Sequence, residues 1–280
     1  MCCAVMRILS FVRLLAAATA TLALTAPARS QTQVDLQLVL AVDASGSVSM
    51  ARFDLQKQGY AAAFRHPRVQ RAILSGATGS IAVTMFQWTG PAMQELVIPW
   101  TLIRDEASAE DFAGRIERTS RHLYSGGTSI SGAIDFGMRL MPPSPYQGIK
   151  RVIDVSGDGS NNRGRDVSEA RDDAVRAGVT VNGLPILAIE PYLDRYFFNH
   201  VIGGPGAFMI PAESYEAFAD AVVKKLILEI AANPTEMQFE PESPARSDGM
   251  GLSQMARYSS RRRFEQVKSC NDGSAFVKQH

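Results

Sequence analysis

The sequence predicts an open α/β sheet, mostly parallel with one antiparallel edge strand, carrying helices on both faces. Three observations lead there. Apolar runs rich in β-branched residues alternate with segments of helical period, the pattern of parallel strands joined by crossover helices. The runs 36–43 and 179–188 are apolar almost throughout, as strands buried on both faces must be, and are expected at or near the centre of the sheet. The runs 80–87 and 94–100 are separated only by a short segment containing Gly90-Pro91. A parallel crossover takes about a dozen residues or more, so this pair has to be antiparallel.

The chain opens with Arg7 and Arg13, an apolar stretch from Leu14 to Thr25, and Ala26-Pro27-Ala28, which matches the pattern of a cleavable export leader. Residues 1–28 are read as a signal peptide, and the product as periplasmic or secreted. The apolar stretch is too short and too rich in Ala and Thr for a stable membrane span, which needs about 20 strongly apolar residues. Cleavage after Ala28 removes Cys2 and Cys3 and leaves Cys270 alone, so no internal disulfide is expected. Loss of Arg7 and Arg13 takes the basic residues from 29 to 27 against 28 acids, a net charge of −1. That balance offers no general basic field for nucleic acid or anionic lipid.

The first strand, 36–43, is followed by a helix in which Met50, Phe53, Tyr60 and Phe64 share one arc at 100° per residue. After the antiparallel pair come a helix at 108–118 and a second amphipathic helix with Ile130, Ala133, Ile134, Gly137 and Met141 on one face. A strand at 150–156 leads to a helix at 166–177, whose Glu169, Arg171, Asp172, Asp173 and Arg176 read as a solvated face. Strands at 179–188 and 207–210 complete the sheet. In the closing helix Tyr215, Phe218, Ala219, Val222, Leu226 and Ile230 lie on one side, while Glu216, Asp220, Lys224 and Glu229 avoid it. One domain, 34–231, is expected to bury about 70% of its unfolded surface. Residues 234–280 have no periodic apolar face and are read as a disordered tail.

Chemistry concentrates in three short segments. Asp43-Ala44-Ser45-Gly46-Ser47 ends the first strand with a carboxylate and two hydroxyls on one turn. Oxygen donors without sulfur or imidazole suit Mg²⁺, Mn²⁺ or Ca²⁺ better than zinc or copper. Ser125-Gly126-Gly127-Thr128-Ser129 stands before a helix, and Ser156-Gly157-Asp158-Gly159 follows a strand. In an open α/β sheet ligands gather at the carboxyl ends of the strands, where the strand order reverses, and all three segments are expected at that edge. Read without a ligand, Asp43, Ser45 and Ser47 form an ordinary turn, Thr128 an N-cap, and Asp158 an Asp-Gly turn.

Taken together, the three segments resemble the von Willebrand factor type A domain and its metal-ion-dependent adhesion site. That site combines a D-x-S-x-S turn, a distant Thr and a later Asp-Gly, here Asp43, Ser45, Ser47, Thr128 and Asp158, over essentially Val34–Ala231. One element departs, since Gly157 stands directly before Asp158 where the family has Thr or Ser. The chain looks most like uncharacterised exported bacterial members, whose late Val-Ile-Gly-Gly-Pro-Gly-Ala-Phe segment is Val201–Phe208 here. The resemblance implies a Rossmann-like sheet and Mg²⁺, or Mn²⁺ or Ca²⁺, held directly by Ser45, Ser47 and Thr128, with Asp43 and Asp158 acting through water or by orienting hydroxyls. Neutral first ligands leave the cation much of its charge, so an open position favours an incoming carboxylate. The expected function is therefore non-enzymatic: an adhesion or interaction module that recognises an Asp or Glu of a protein partner.

Two other readings stay open. A bound divalent cation beside two carboxylates could serve a hydrolase of phosphate esters, although the sequence holds no G-x-S-x-G elbow, H-E-x-x-H or P-loop. Alternatively the metal only fixes the loops, and partners dock elsewhere, for instance on the tail with Arg261, Arg262 and Arg263. Gly46, Gly126 and Gly127 are expected to let the loops turn tightly. Asp154, inside the apolar run Val152–Val155, reads as a hydrogen-bonded structural carboxylate. His122 is read as a loop residue, and Trp88 and Trp100 as sheet packing.

Overall fold

The computed structural model describes residues 31–231. The expected leader at 1–28 and tail at 234–280, with Cys270 and the basic run 261–263, lie outside the described residues.

Five strands, β1 (Thr32–Asp43), β2 (Ile81–Trp88), β3 (Gln94–Ile103), β4 (Tyr146–Gly157) and β5 (Thr180–Pro185), form one sheet in the order β3-β2-β1-β4-β5. β1 pairs in parallel with β2 and β4, and β4 with β5, while β3 runs antiparallel to β2 along the edge. The fold class is the predicted one. β1 lies at the centre because it has no face to give to water: from Val34 to Asp43 every residue is buried. Full burial of Leu36, Leu38 and Leu40 contributes about 1.5–3 kcal/mol each relative to exposure.

The helices are α1 (Met50–Arg65), α2 (Pro67–Leu74), α3 (Glu106–Arg118), α4 (Ile130–Leu140), α5 (Val167–Arg176), the short α6 (Leu193–Tyr196) and α7 (Phe218–Ile230). A π-helical turn, Phe197–Val201, continues α6. On one face α1 packs against α3 and α7, with Tyr60 edge-on to Phe218 and Phe64 edge-on to Phe112. On the other, Ile130, Ile134, Ala170 and Ala174 of α4 and α5 close over Val39, Ala41, Trp88 and Ile153. Side chains fix the helix starts: Ser49 accepts from the Arg52 amide, Asp105 from Ser108, Ser129 from Gly132 and Asp166 from Ser168. α2 escaped the periodicity reading because it has only 8 residues, yet Pro67 at its first position behind a His66 cap is a local start signal.

Four expectations need correction. Residues 179–188 are not central: β5 is the outermost strand, and its apolar character is explained by chain laid along its free edge. Gly183 bonds to Phe208 and Ile210 there, and Pro185 and Leu187 bond to Ala212. The strand expected at 207–210 is reduced to isolated bridges, because the Phe208 amide donates to the Asn182 side chain and Pro205 and Pro211 bring no amide hydrogen. Glu229 does not avoid the buried face of α7. It is buried with Lys225, whose Nζ lies 2.6 Å from Glu229 Oε1 and 3.0 Å from Asp154 Oδ1 on β4. Asp154 is thus a structural carboxylate with a buried counter-charge. Met50, expected on the apolar arc of α1, is exposed.

Because β1 neighbours β2 on one side and β4 on the other, the strand order reverses at it, the place where open α/β sheets form a ligand crevice beyond the carboxyl ends of the strands. Asp43 is the last residue of β1, and Asp158 follows the last residue of β4.

Candidate functional site

At this crevice the oxygens of the first and third segments form a continuous chain. Asp43 Oδ1 accepts from the Ser45 amide at 2.7 Å, which turns the backbone back over the strand end. Ser45 Oγ lies 3.0 Å from Ser47 Oγ, and Ser47 Oγ donates to Asp158 Oδ1 at 2.6 Å. Asp43 Oδ2 accepts from the Asp158 amide at 3.4 Å. Gly157 makes this approach possible: a methyl group there would sit 3.1 Å from Asp43 Oδ2 and 3.2 Å from the Trp88 ring. Gly157 is therefore where two carboxylate loops meet.

Thr128 is buried beside this chain and is not bonded into it. Its amide donates to Asn162 Oδ1 at 3.0 Å, and its carbonyl accepts from the amides of Asn162 and Arg163 at 2.9 and 3.2 Å. Its Oγ1 lies 3.8 Å from the point where a methyl on Gly159 would stand, so it faces the loop that carries Asp158. The capping role belongs to Ser129, not to Thr128. Nor is Asp158 a simple exposed turn: it is buried, and its second oxygen accepts from the Tyr215 hydroxyl at 2.8 Å.

The electrostatics are those of two buried acids sharing a small space. Burial first, and then the Asp158 charge, pushes the Asp43 carboxyl up to about 7 against the bonds it accepts from Ser45 and Asp158. Arg52 donates to the Ser47 carbonyl and lies 4.0 Å from Asp158. A divalent cation would relieve this repulsion. The spacing also fits one: neighbouring oxygens around an octahedral Mg²⁺ stand about 3 Å apart, which is the separation of Ser45 Oγ, Ser47 Oγ and Asp158 Oδ1 along the chain. Among the described residues no three His, Cys, Asp or Glu side chains gather into a metal-binding group. The oxygens grouped here come instead from two carboxylates and two serine hydroxyls, with Thr128 alongside.

Four further residues hold the site, and the sequence reading gives none of them a role there; Tyr215 is expected on the apolar face of the closing helix, which begins only at Phe218. Arg121, buried, donates to the carbonyls of Ala44, Ser45 and Leu123, so it clamps the Asp43–Ser47 turn from the side. Gln56 of α1 donates to the Asp43 carbonyl. Asn162 binds the Thr128 loop, and Tyr215 binds Asp158. Gln56 was legible, since it interrupts the apolar arc of α1 between Phe53 and Tyr60. The others sit in irregular segments whose partners are far away in sequence.

Of the described helices, none is long and apolar enough to cross a membrane. The model of a family described as "Protein of unknown function (DUF1194)" matches residues 33–234. No curated protein matches the chain. Among solved structures, proximal thread matrix protein 1 from the mussel byssus, with a zinc-occupied MIDAS motif, is similar at 14% identity and TM-score 0.50, over 70% of this chain and 48% of that one. The pilus adhesin SpaC from Lactobacillus rhamnosus GG is similar at 14% identity and TM-score 0.51, over 72% of this chain and 31% of that one. A von Willebrand factor type A protein from Catenulispora acidiphila gives 14% identity and TM-score 0.46, over 71% and 43%. This chain spans less than half of each of these three proteins. The likeness is one of fold, a von Willebrand factor A-like open sheet.

Proposed function

The chain belongs to the family described as protein of unknown function, DUF1194, whose model spans most of it, and from that footing we propose that it is a cation-dependent protein-binding module. It takes an Asp or Glu of a partner at the carboxyl edge of β1 and β4. The observation that carries this reading is the run of oxygens from Ser45 through Ser47 to Asp158 at ligand spacing, above a buried carboxylate pair that lacks a full counter-charge. Ser45, Ser47 and Thr128 would hold Mg²⁺, or Mn²⁺ or Ca²⁺, with Asp43 and Asp158 orienting the hydroxyls and balancing charge. When bound, the cation supplies a positive centre that attracts a carboxylate. Arg121 and Gln56 keep the turn in place, so the site needs little rearrangement to accept it.

The leader-like residues 1–28 support an exported, periplasmic or secreted setting for this module. Nothing in the geometry favours phosphate-ester hydrolysis, because no histidine or lysine joins the bonded set and the Asp43 oxygens are engaged by backbone amides.

The test is calorimetric titration of the purified protein with MgCl₂, together with recovery of partners in Mg²⁺ or in EDTA and an Asp43→Ala control. Uptake of one cation, and a partner lost with EDTA and with Asp43→Ala, is the expected result. A partner retained under both treatments rejects the reading.

A further inference from the structure

The loops around the site carry a second set of features that the cation does not use. Arg163 is exposed and fixed: its backbone is strapped to the Thr128 carbonyl, and its stem lies over Gly127, where a methyl would meet Arg163 Cγ at 2.6 Å and Nε at 3.4 Å. Among the described residues its guanidinium meets no carboxylate. Two positions on, Arg165 is pinned between Asp135 and Asp173. Beside it the Ser125–Thr128 loop is bordered by exposed apolar groups. Met93 Sδ stands 2.5 Å from where a methyl on Gly126 would be, the Tyr124 carbonyl approaches Gly46 while its ring lies 4.9 Å from the Arg121 guanidinium, and Met93 and Tyr124 are 37% and 58% exposed. The whole sequence is nearly neutral, 29 basic residues to 28 acidic, so this cationic rim is local.

Resting on the cation-dependent reading above, we propose that the ligand is an acidic polypeptide segment with at least two carboxylates. One sits at the Ser45–Ser47–Asp158 site, the second pairs with Arg163, and an apolar side chain lies against Tyr124 and Met93. Charge complementarity selects the occupant: a lone phosphate satisfies the cation and the arginine and leaves the apolar border unused, whereas a peptide engages all three. Arg163 is then a specificity-determining residue, outside the cation's own ligands.

The test is fluorescence anisotropy at low salt with MgCl₂ and three labelled hexapeptides of Leu and Ser. One carries a single Glu, one a second Glu three residues on, and one Gln at both places. The two-Glu peptide is expected to bind about tenfold more tightly than the one-Glu peptide. Arg163→Glu should erase that difference, with the two-Glu peptide losing the greater share of its affinity. Arg104→Glu, at the opposite edge of the sheet beyond Ile103, should leave both unchanged. Equal affinity of the two Glu peptides, a preference that survives Arg163→Glu, or full displacement by inorganic phosphate at concentrations below that of competing acetate would overturn the proposal. Peptide binding that persists in EDTA sinks the cation-dependent reading instead, and MgCl₂ uptake with no peptide bound sinks only this one.

Discussion

Ser47 Oγ donates to Asp158 Oδ1 at 2.6 Å, joining residues 111 apart in the sequence. The bond closes the loop after β1 onto the loop after β4, and it puts a hydroxyl oxygen at the junction of the proposed cation site. Ser47→Ala is expected to cost about 1.5–3 kcal/mol, as loss of a hydrogen bond to a charged group does. In the unaltered protein MgCl₂ at about a hundred times its dissociation constant adds about 2.7 kcal/mol, a rise in melting temperature of roughly 5–10 °C for a domain of this size. In Ser47→Ala and Asp43→Ala the rise should be lost. Differential scanning fluorimetry with and without EDTA checks both variants.

Tyr215 stands three residues before α7 and donates its hydroxyl to the other oxygen of Asp158, with Arg52 over its ring at 5.3 Å. Tyr215→Phe keeps the ring and its cationic neighbour and deletes only the hydroxyl. A loss of about 1.5–3 kcal/mol in urea unfolding is expected, whereas a change within about 0.5 kcal/mol, the level of an ordinary surface substitution, would mean that the bond contributes nothing.

Lys225 faces Asp154 and Glu229 in a buried triad, with the Tyr60 phenol and the Asn182 amide beside it. Burial holds the Asp154 carboxyl above its ordinary range; Lys225 opposes this and Glu229 adds to it. The folded protein therefore keeps this proton at pH values where the unfolded chain has released it, and its stability must fall as pH rises through that window. Urea midpoints should drop between pH 5 and pH 8, and Asp154→Asn should reduce the slope and leave the part due to the Asp43 carboxyl, which burial also raises. Lys225→Met strands two buried acids and is expected to cost about 3–5 kcal/mol, more at pH 8 than at pH 5.

Gly127 has a φ of 81° and Arg163 packed over it, whereas a methyl on Gly46 would meet nothing nearer than the Tyr124 carbonyl at 3.9 Å. Gly127→Ala should cost about 1–2 kcal/mol for the left-handed backbone alone and weaken the Mg²⁺ response by displacing Thr128. Gly46→Ala should stay within about 0.5 kcal/mol. Paired melts of the two variants, with and without MgCl₂, decide between a general and a position-specific need for glycine. Of the three glycines expected to shape these loops, the backbone angles single out Gly126 and Gly127 and leave Gly46 replaceable.

By itself the sequence determined the layered α/β architecture, the antiparallel edge and the three oxygen-bearing segments, because apolar periodicity and strand-end turns are local properties written into consecutive residues. It also marked Asp154 as structural, since a carboxylate inside an apolar strand has to find a partner. The tertiary structure alone decided that the partner is Lys225, that Glu229 turns inward, that β5 lies at the margin, and that Arg121, Asn162 and Tyr215 hold the site. Each of those outcomes depends on an atom supplied by a distant part of the chain. Burial and hydrogen bonding set the energy of such pairs, and neither exists until the sheet has brought the separate loops to one edge.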